Sequence, residues 1–433
     1  MIRKALRARV TKLSPQFTVS RGLPRHHRGS PFSTQIRMLM APRFPLLLLA
    51  ALMDSGGVCR GVEELVPGVP LPIAKESEVG GTGPQAGNSR NLEAADHLLA
   101  KLTTDEDEHF RAQLKLCGAL IRLGSHGEAK QRWKTFGPSY QSLLAAELAM
   151  AWQKRGEAAL AAEAASLAES SLPASDTWKT TRSCALLAEL FLEQRKEETA
   201  AAWFRRVSDP LDRQGYEAAY LLQKPEPEQI EVFLRRPANQ HFGPQVRLLC
   251  GLAEREAAAG RTAQAQEHLG KAADVVREAR HPSAPQSMPL IIEMMHRFGV
   301  ESSVVTSVWE AYAGACRKYP DDAEWKAPSL AEAGRLARLM GMGDRIPAIR
   351  EEAERSSRAV FFLYAPSCWL ACARMALGDG ESAEAARLVK EAVTNGAAYP
   401  HPRGRAMGLF AVALFHVEEQ LAMSPETMGE LMK

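Results

Sequence analysis

The chain is poor in the features from which chemistry is usually read. It has no GxxxxGK[ST] phosphate loop, no HExxH, no GxSxG and no calcium-loop pattern, so the common nucleotide, zinc and serine-nucleophile signatures are missing. Aromatic residues make up only 6% of the 433 positions. That scarcity argues against a sugar-processing cleft built on aromatic platforms. No stretch alternates polar and apolar residues with the period of two that a half-buried strand needs. No apolar run reaches the roughly 20 residues of a membrane-spanning helix, so no stable membrane span is expected.

Acidic residues are absent from the first 53 positions, which hold ten of the 54 Lys and Arg. Beyond residue 53 there are 44 basic against 51 acidic residues, a net charge of −7. The overall pI of about 8.4 therefore belongs to the leader. A mildly acidic body argues against nucleic acid as a partner.

Within that leader, Phe44 to Met53 reads FPLLLLAALM, flanked by Arg43 and by the small residues Ser55, Gly56 and Gly57. Length and flanks suit an export signal over 38–61 with a start at Met38 or Met40, and place the protein in a periplasmic or extracellular setting. Residues 1–37 are then a basic upstream extension. Two readings compete. The Arg- and Ser-rich, acid-free start resembles a mitochondrial transit peptide, and Cys59 could be acylated, although Gly56, Gly57 and Val58 match a lipobox poorly. Residues 62–90, rich in Pro, Gly and Ser, are expected to be a linker, with the folded region over 91–433.

From residue 91 the composition changes. Ala, Leu, Glu, Arg and Gln dominate, and amphipathic segments of 12 to 18 residues alternate with short Gly or Pro punctuation. The body is expected to be all-α. The segment TTDEDEHFRAQLKLCGALIRLG places Thr104 before an acidic first turn, which suits the positive end of a helix dipole and explains Asp105–Glu108 without a cation.

Several segments share one grammar. In LCGALIRLGSHGEAKQRWKTF (116–136), LAMAWQKRGEAALAAEAASLA (148–168), LAELFLEQRKEETAAAWFRRV (187–207) and LAEREAAAGRTAQAQEHLGKA (252–272), an apolar helix runs into a turn residue. An Ala follows five positions later: Gly124 with Ala129, Gly156 with Ala161, Arg195 with Ala200, Gly260 with Ala265. Gly343 with Ala348 and Gly380 with Ala385 extend the series. A small side chain stands seven residues before each of the first four turns, at Cys117, Ala149, Ala188 and Ala253. Small residues let paired helices approach, and the turn residue reverses the chain.

This pattern resembles the tetratricopeptide repeat. The resemblance implies an α-solenoid of antiparallel helix pairs that binds a protein or peptide on the face of its first helices. The Ala-to-Ala steps of 32, 39, 65, 83 and 37 depart from a period of about 34. Degenerate units are expected around 216–236 and 290–316. A generic α-solenoid outside the family is the alternative. The family's chaperone-binding members carry an Asn where this chain has Gly118, Met150 and Glu189, so a chaperone-type clamp is not implied.

The candidate partner-binding residues are Arg111, Arg182 and Arg247, thirteen positions before their turns, with Arg122 and Lys154 two positions before theirs. A basic stripe in an acidic body suits an acidic peptide or a carboxylate terminus. Cys117, Cys184, Cys250 and Cys316, spaced 67, 66 and 66 apart, are too far apart in such an array for disulfides and read as buried packing residues. Cys368 and Cys372 share a helix face and read the same way. No two histidines of the body stand at i, i+3 or i, i+4. Trp309, Trp325 and Trp369 read as core anchors. No catalytic residue, metal ligand or cofactor is assigned. The expected function is an exported binding scaffold, and the rival is a toroidal helical enzyme acting on cell-envelope polysaccharide. The export reading predicts that the natural protein begins at or after Met38. N-terminal sequencing that finds an end upstream of Met38 would contradict it.

Overall fold

The computed structural model describes residues 84–433, apart from 176 and 362. The expected upstream extension, export signal, Cys59 and most of the linker lie outside the described residues. All regular structure among the described residues is helical.

Nineteen α-helices follow one another among the described residues: α1 (Pro84–Ala100), α2 (Glu106–Arg122), α3 (His126–Arg132), α4 (Pro138–Lys154), α5 (Ala158–Ser170), α6 (Trp178–Glu193), α7 (Glu197–Phe204), α8 (Pro210–Gln223), α9 (Pro227–Leu234) and α10 (Ala238–Ala258). Then come α11 (Thr262–Glu278), α12 (Met288–Arg297), α13 (Ser302–Arg317), α14 (Lys326–Leu339), α15 (Ile346–Ala359), α16 (Ala365–Gly378), α17 (Ser382–Ala397), α18 (Pro402–Glu418) and α19 (Pro425–Leu431). Helix α1 starts at Pro84, inside the segment 62–90 expected as a linker. No described helix is long and apolar enough to cross a membrane.

From α2 onward the helices pack in adjacent pairs, with even-numbered helices as the first members, except that α8 and α9 meet chiefly through a buried cluster shared with α10 (Ala218, Leu221, Phe233, Leu248 and Leu252). The turns inside pairs are where backbone conformation matters. Gly124, Gly156, Gly260, Gly299, Gly341 and Gly380 all have φ between 66° and 80°, and Arg195 and Gln420 take the same left-handed conformation at 61° and 52°. Only glycine adopts that region without a Cβ penalty, and it closes the preceding helix. A chain so reversed returns its second helix onto the first.

The expected small residues sit at these helix contacts. Cys117, Ala149, Ala188 and Ala253 are fully buried, as are Ala129, Ala161, Ala200 and Ala265. One pair was misregistered by sequence. The turn is at Gly341, and Ile346 is the buried residue five positions on, whereas Gly343 opens a 3-10 turn and Ala348 is exposed. Two Gly residues with one residue between them leave the choice open until packing decides it. The expected start of α2 shifts by one: Asp105, not Thr104, is the N-cap, and its side chain accepts from the Glu108 amide. Of the two degenerate units, α12 packs on α13, while α8 and α9 come together in the buried cluster they share with α10.

First helices also pack against one another in sequence order, α2 on α4, α4 on α6, α6 on α8 and α8 on α10. The step to α12 runs through α11 and the 3-10 segment Ala284–Ser287. Packing then continues α12 on α14, α14 on α16 and α16 on α18. Helix α18 packs on α2 and, more extensively, on α1. The succession therefore closes on itself. Helix α1 covers the flank of α18 that the pairing rule would leave to the following helix, α19, which has only seven residues.

The seam is specific. Asn91, 1% exposed, donates from Nδ2 to the carbonyl oxygens of His416 (3.2 Å) and Leu421 (2.9 Å). Arg403 of α18 pairs with Asp105 at 2.7 Å and with Glu108. The acidic run at the start of α2 thus serves both its own helix dipole and the closure.

Candidate functional site

On the first helices, arginines reach from one helix to the next. Arg182 of α6 lies between Glu147 of α4 (3.4 Å) and Asp212 of α8 (3.2 Å). Arg247 of α10 bonds Glu189 of α6 at 2.6 Å. That reach passes Gly215 of α8, where a Cβ would stand 3.2 Å from Glu189 Oε1. Gly215 leaves the carboxylate its space.

The same construction continues along the succession. Arg297 of α12 meets Glu254 of α10 at 3.0 Å, and Arg335 of α14 meets Glu293 of α12. Arg338 of α14 meets Asp379, in the turn after α16, at 2.5 Å. Arg374 of α16 meets Glu418 of α18 at 2.5 Å, and the other oxygen of Glu418 takes Arg122 of α2 at 2.6 Å. The step from α2 to α4 is bridged by the Tyr140 hydroxyl, which donates to Asp107. Ion pairs and hydrogen bonds thus form a belt from one first helix to the next, with Glu418 linking α16 and α18 to α2, although on α2 its members Asp107 and Arg122 stand at opposite ends of the helix.

The structure places the five candidate residues as follows. Arg182 and Arg247 lie in the belt, and Lys154 stands close enough to share the field of Glu189 and Glu193 with Arg247. Arg122 is at the seam with Glu418, away from those three in sequence order. Arg111 is exposed on α2. Arg182, Arg247 and Lys154 therefore come together around α6. Arg182, Arg247 and Arg122 already hold carboxylates of their own chain, so the face carries both signs of charge. Sequence reasoning singled out the bases and missed the acids Glu147, Glu189, Asp212 and Glu418. The signal was present, because each is an acid on a first helix, but nothing in one sequence says which helix lies opposite.

Electrostatics separates two carboxyls one turn apart on α6. Burial opposes ionisation of Glu189, which is 5% exposed, but the Arg247 charge and hydrogen bond, helped by Arg182 and Lys154, outweigh it and hold the carboxyl below its ordinary range. For Glu193, burial wins over Lys154 and Arg247, and its carboxyl is pushed up. Burial likewise raises Asp212 and Glu293 against their arginine partners. The thiols of Cys117, Cys250, Cys316, Cys368 and Cys372 are pushed up to about 12, chiefly by burial, which makes them poor nucleophiles at neutral pH.

All six cysteines among the described residues are free and buried. Cys316 lies on α13, a second helix, so the regular 66-residue spacing does not mark one structural position. Among the described residues no three His, Cys, Asp or Glu side chains gather to hold a metal ion. Trp309 and Trp369 are core anchors at 2% and 3% exposure, whereas Trp325 is 36% exposed and packs edge-on against Tyr319. Trp325 is the N-cap residue of α14.

The two carboxyls predict opposite pH behaviour. Glu189, with its depressed folded pKa, adds stability that is present above its unfolded pKa and lost as pH falls through the folded one. Glu193, with a raised folded pKa, costs stability as pH rises through that value. At pH 7, Glu189→Gln should destabilise by about 2–3 kcal/mol, since Arg247 loses a mostly buried partner. Glu193→Gln should be neutral or stabilising there, and its gain should shrink as pH is lowered. Urea titrations at pH 4.5 and 7 check both, and equal effects of the two substitutions would contradict the assignment.

Comparison with known proteins finds no family model that matches this chain and no curated protein similar to it.

Proposed function

We propose that this chain is an exported helical-repeat scaffold of the tetratricopeptide-like α-solenoid type, and that the face of its first helices holds a protein or peptide segment without catalysis. The observation that carries this reading is the belt. Successive helices present arginines and carboxylates that are partly exposed and fixed by one another, at spacings set by helix packing of about 8–10 Å. Such a surface offers ordered donors and acceptors of both signs. It suits a segment of mixed charge better than the purely acidic peptide that the basic residues suggest when taken alone. Preorganisation lowers the entropic cost of binding, because the arginines are already ordered.

A second reading follows from two observations together. The succession of helices is closed, and Glu189 and Glu193 have pKa values displaced in opposite directions. Divergent carboxyls are the arrangement that assigns acid and base in glycan hydrolysis. That favours a toroidal enzyme on cell-envelope polysaccharide as the alternative.

Photo-crosslinking distinguishes the two. A photoreactive residue at Lys154 or Arg111 should trap a discrete protein partner in the native envelope fraction, and one at Lys271 on a second helix should not. Crosslinking from Lys271 alone would overturn the scaffold reading. So would glycan turnover by the purified chain that Glu193→Gln abolishes.

A further inference from the structure

Helix α3 has only seven residues, too few to be stable alone, so its place depends on what holds it to its neighbours. Its last residue, Arg132, grips the Asp96 carboxylate of α1 through Nη1 and through Nη2, the latter at 3.0 Å. In its middle, Ala129 is fully buried, with its carbonyl oxygen 3.9 Å from Sγ of Cys117 on α2. Its first residue, His126, accepts a hydrogen bond on Nδ1 from the Nε1–H of Trp152 in α4, at 3.0 Å. Trp152 is fully buried and stands edge-on to Trp133, the residue that follows α3.

An indole N–H can only donate, so Nδ1 of His126 carries no proton and the neutral ring holds its proton on Nε2. Nε2 lies 3.8 Å from the carboxylate of Glu157, which faces it from the turn after α4. The His126 side chain is 24% exposed, so water reaches the ring in the folded chain. On α3 itself, Glu128 is exposed, and Lys130 is turned to Glu163 of α5 at 2.6 Å. Arg122, at the end of α2, is held by Glu418 at 2.6 Å.

Histidine changes charge between pH 5 and 8, and the imidazolium has two donors and no acceptor. A proton on Nδ1 would point at the indole N–H, donor against donor. The charged ring is drawn instead to Glu157, whose side chain is 47% exposed. Turning that way leaves the Trp152 N–H buried without an acceptor, which is costly. We propose that the His126–Trp152 bond is a pH-sensitive latch on α3, closed by the neutral imidazole and opened by its protonation, which frees α3 from α4 and slackens the grip of Arg132 on α1. The bond exists only with the neutral ring, so its contribution is present at higher pH and lost as pH falls through the titration of the histidine. This device is separate from the first-helix face and does not depend on the function proposed for it.

NMR of the full chain with 15N-labelled tryptophan, followed from pH 8 to pH 5, tests this, with Trp152→Phe identifying the Trp152 indole signal. The Nε1 proton of Trp152 should move upfield as pH falls, as a hydrogen bond to it is lost. In His126→Gln, whose amide oxygen accepts from the indole but does not titrate, the signal should stay in place. Hydrogen exchange of the backbone amides of residues 127–136, corrected for the intrinsic rate at each pH, should show about ten-fold less protection at pH 5 than at pH 8, the loss of one hydrogen bond to a buried donor. His126→Gln should remove that difference. A Trp152 signal that does not move in the unsubstituted chain, one that moves equally in His126→Gln, or protection of 127–136 that is the same at both pH values would each overturn the proposal.

Discussion

An apolar face on α1 that its neighbours in sequence cannot cover is what the closed arrangement rests on. Leu92, Leu98 and Leu99 on α1 and Leu102 in the turn after it are buried, together with Ala94 and Ala95, yet α1 makes only a slight contact with α2. The helix that covers this face is α18, more than 300 residues later. Burying four leucines contributes about 6–12 kcal/mol as an upper estimate. The exposed ion pairs across the seam contribute at most about 1 kcal/mol each. Apolar burial therefore supplies the closing energy, and Asn91, Arg403 and Glu418 fix its register.

Closure gives the belt its meaning. A row of arginines on an open array would end in unpaired charges, whereas here Glu418 accepts from both the last and the first member of the row. Each pair is a modest interaction in isolation. The exceptions are the buried members. Glu189 depends on Arg247 for its ionised state, and Gly215 exists as the gap through which the two meet. The charge pattern of this face is thus coupled to helix packing, and a substitution in the belt touches both.

Pairing of helices was legible in the sequence because its determinants are local. Turn glycines, the alanine five residues on and the small residue seven before are all set by one reversal of the chain, and four of them at 124, 156, 260 and 380 have the left-handed backbone that the spacing implies. Arg195 and Gln420 adopt the same conformation without being glycine, and Gly341 competes with Gly343, so composition alone blurs those turns. Closure was not legible. The residues that make it, Asn91 with His416 and Arg122 with Glu418, are joined across more than 290 positions, and no spacing rule reaches so far. The acids opposite Arg182 and Arg247 were missed for the same reason.

The polar face along the first helices, which we propose as the binding surface, and the seam where α18 meets α1 belong to one architecture. Both depend on α18 being held by α1. Native-state hydrogen exchange against urea measures that dependence directly. An isolated helix of 17 residues is marginal in water, so α1 has no protection of its own to offer. If closure holds, the amides of residues 92–102 and those of α18 should be strongly protected and should exchange through one shared opening whose free energies merge as urea is raised. Exchange of the α1 amides near the rate of a free helix, while α18 stays protected, would contradict the closed arrangement.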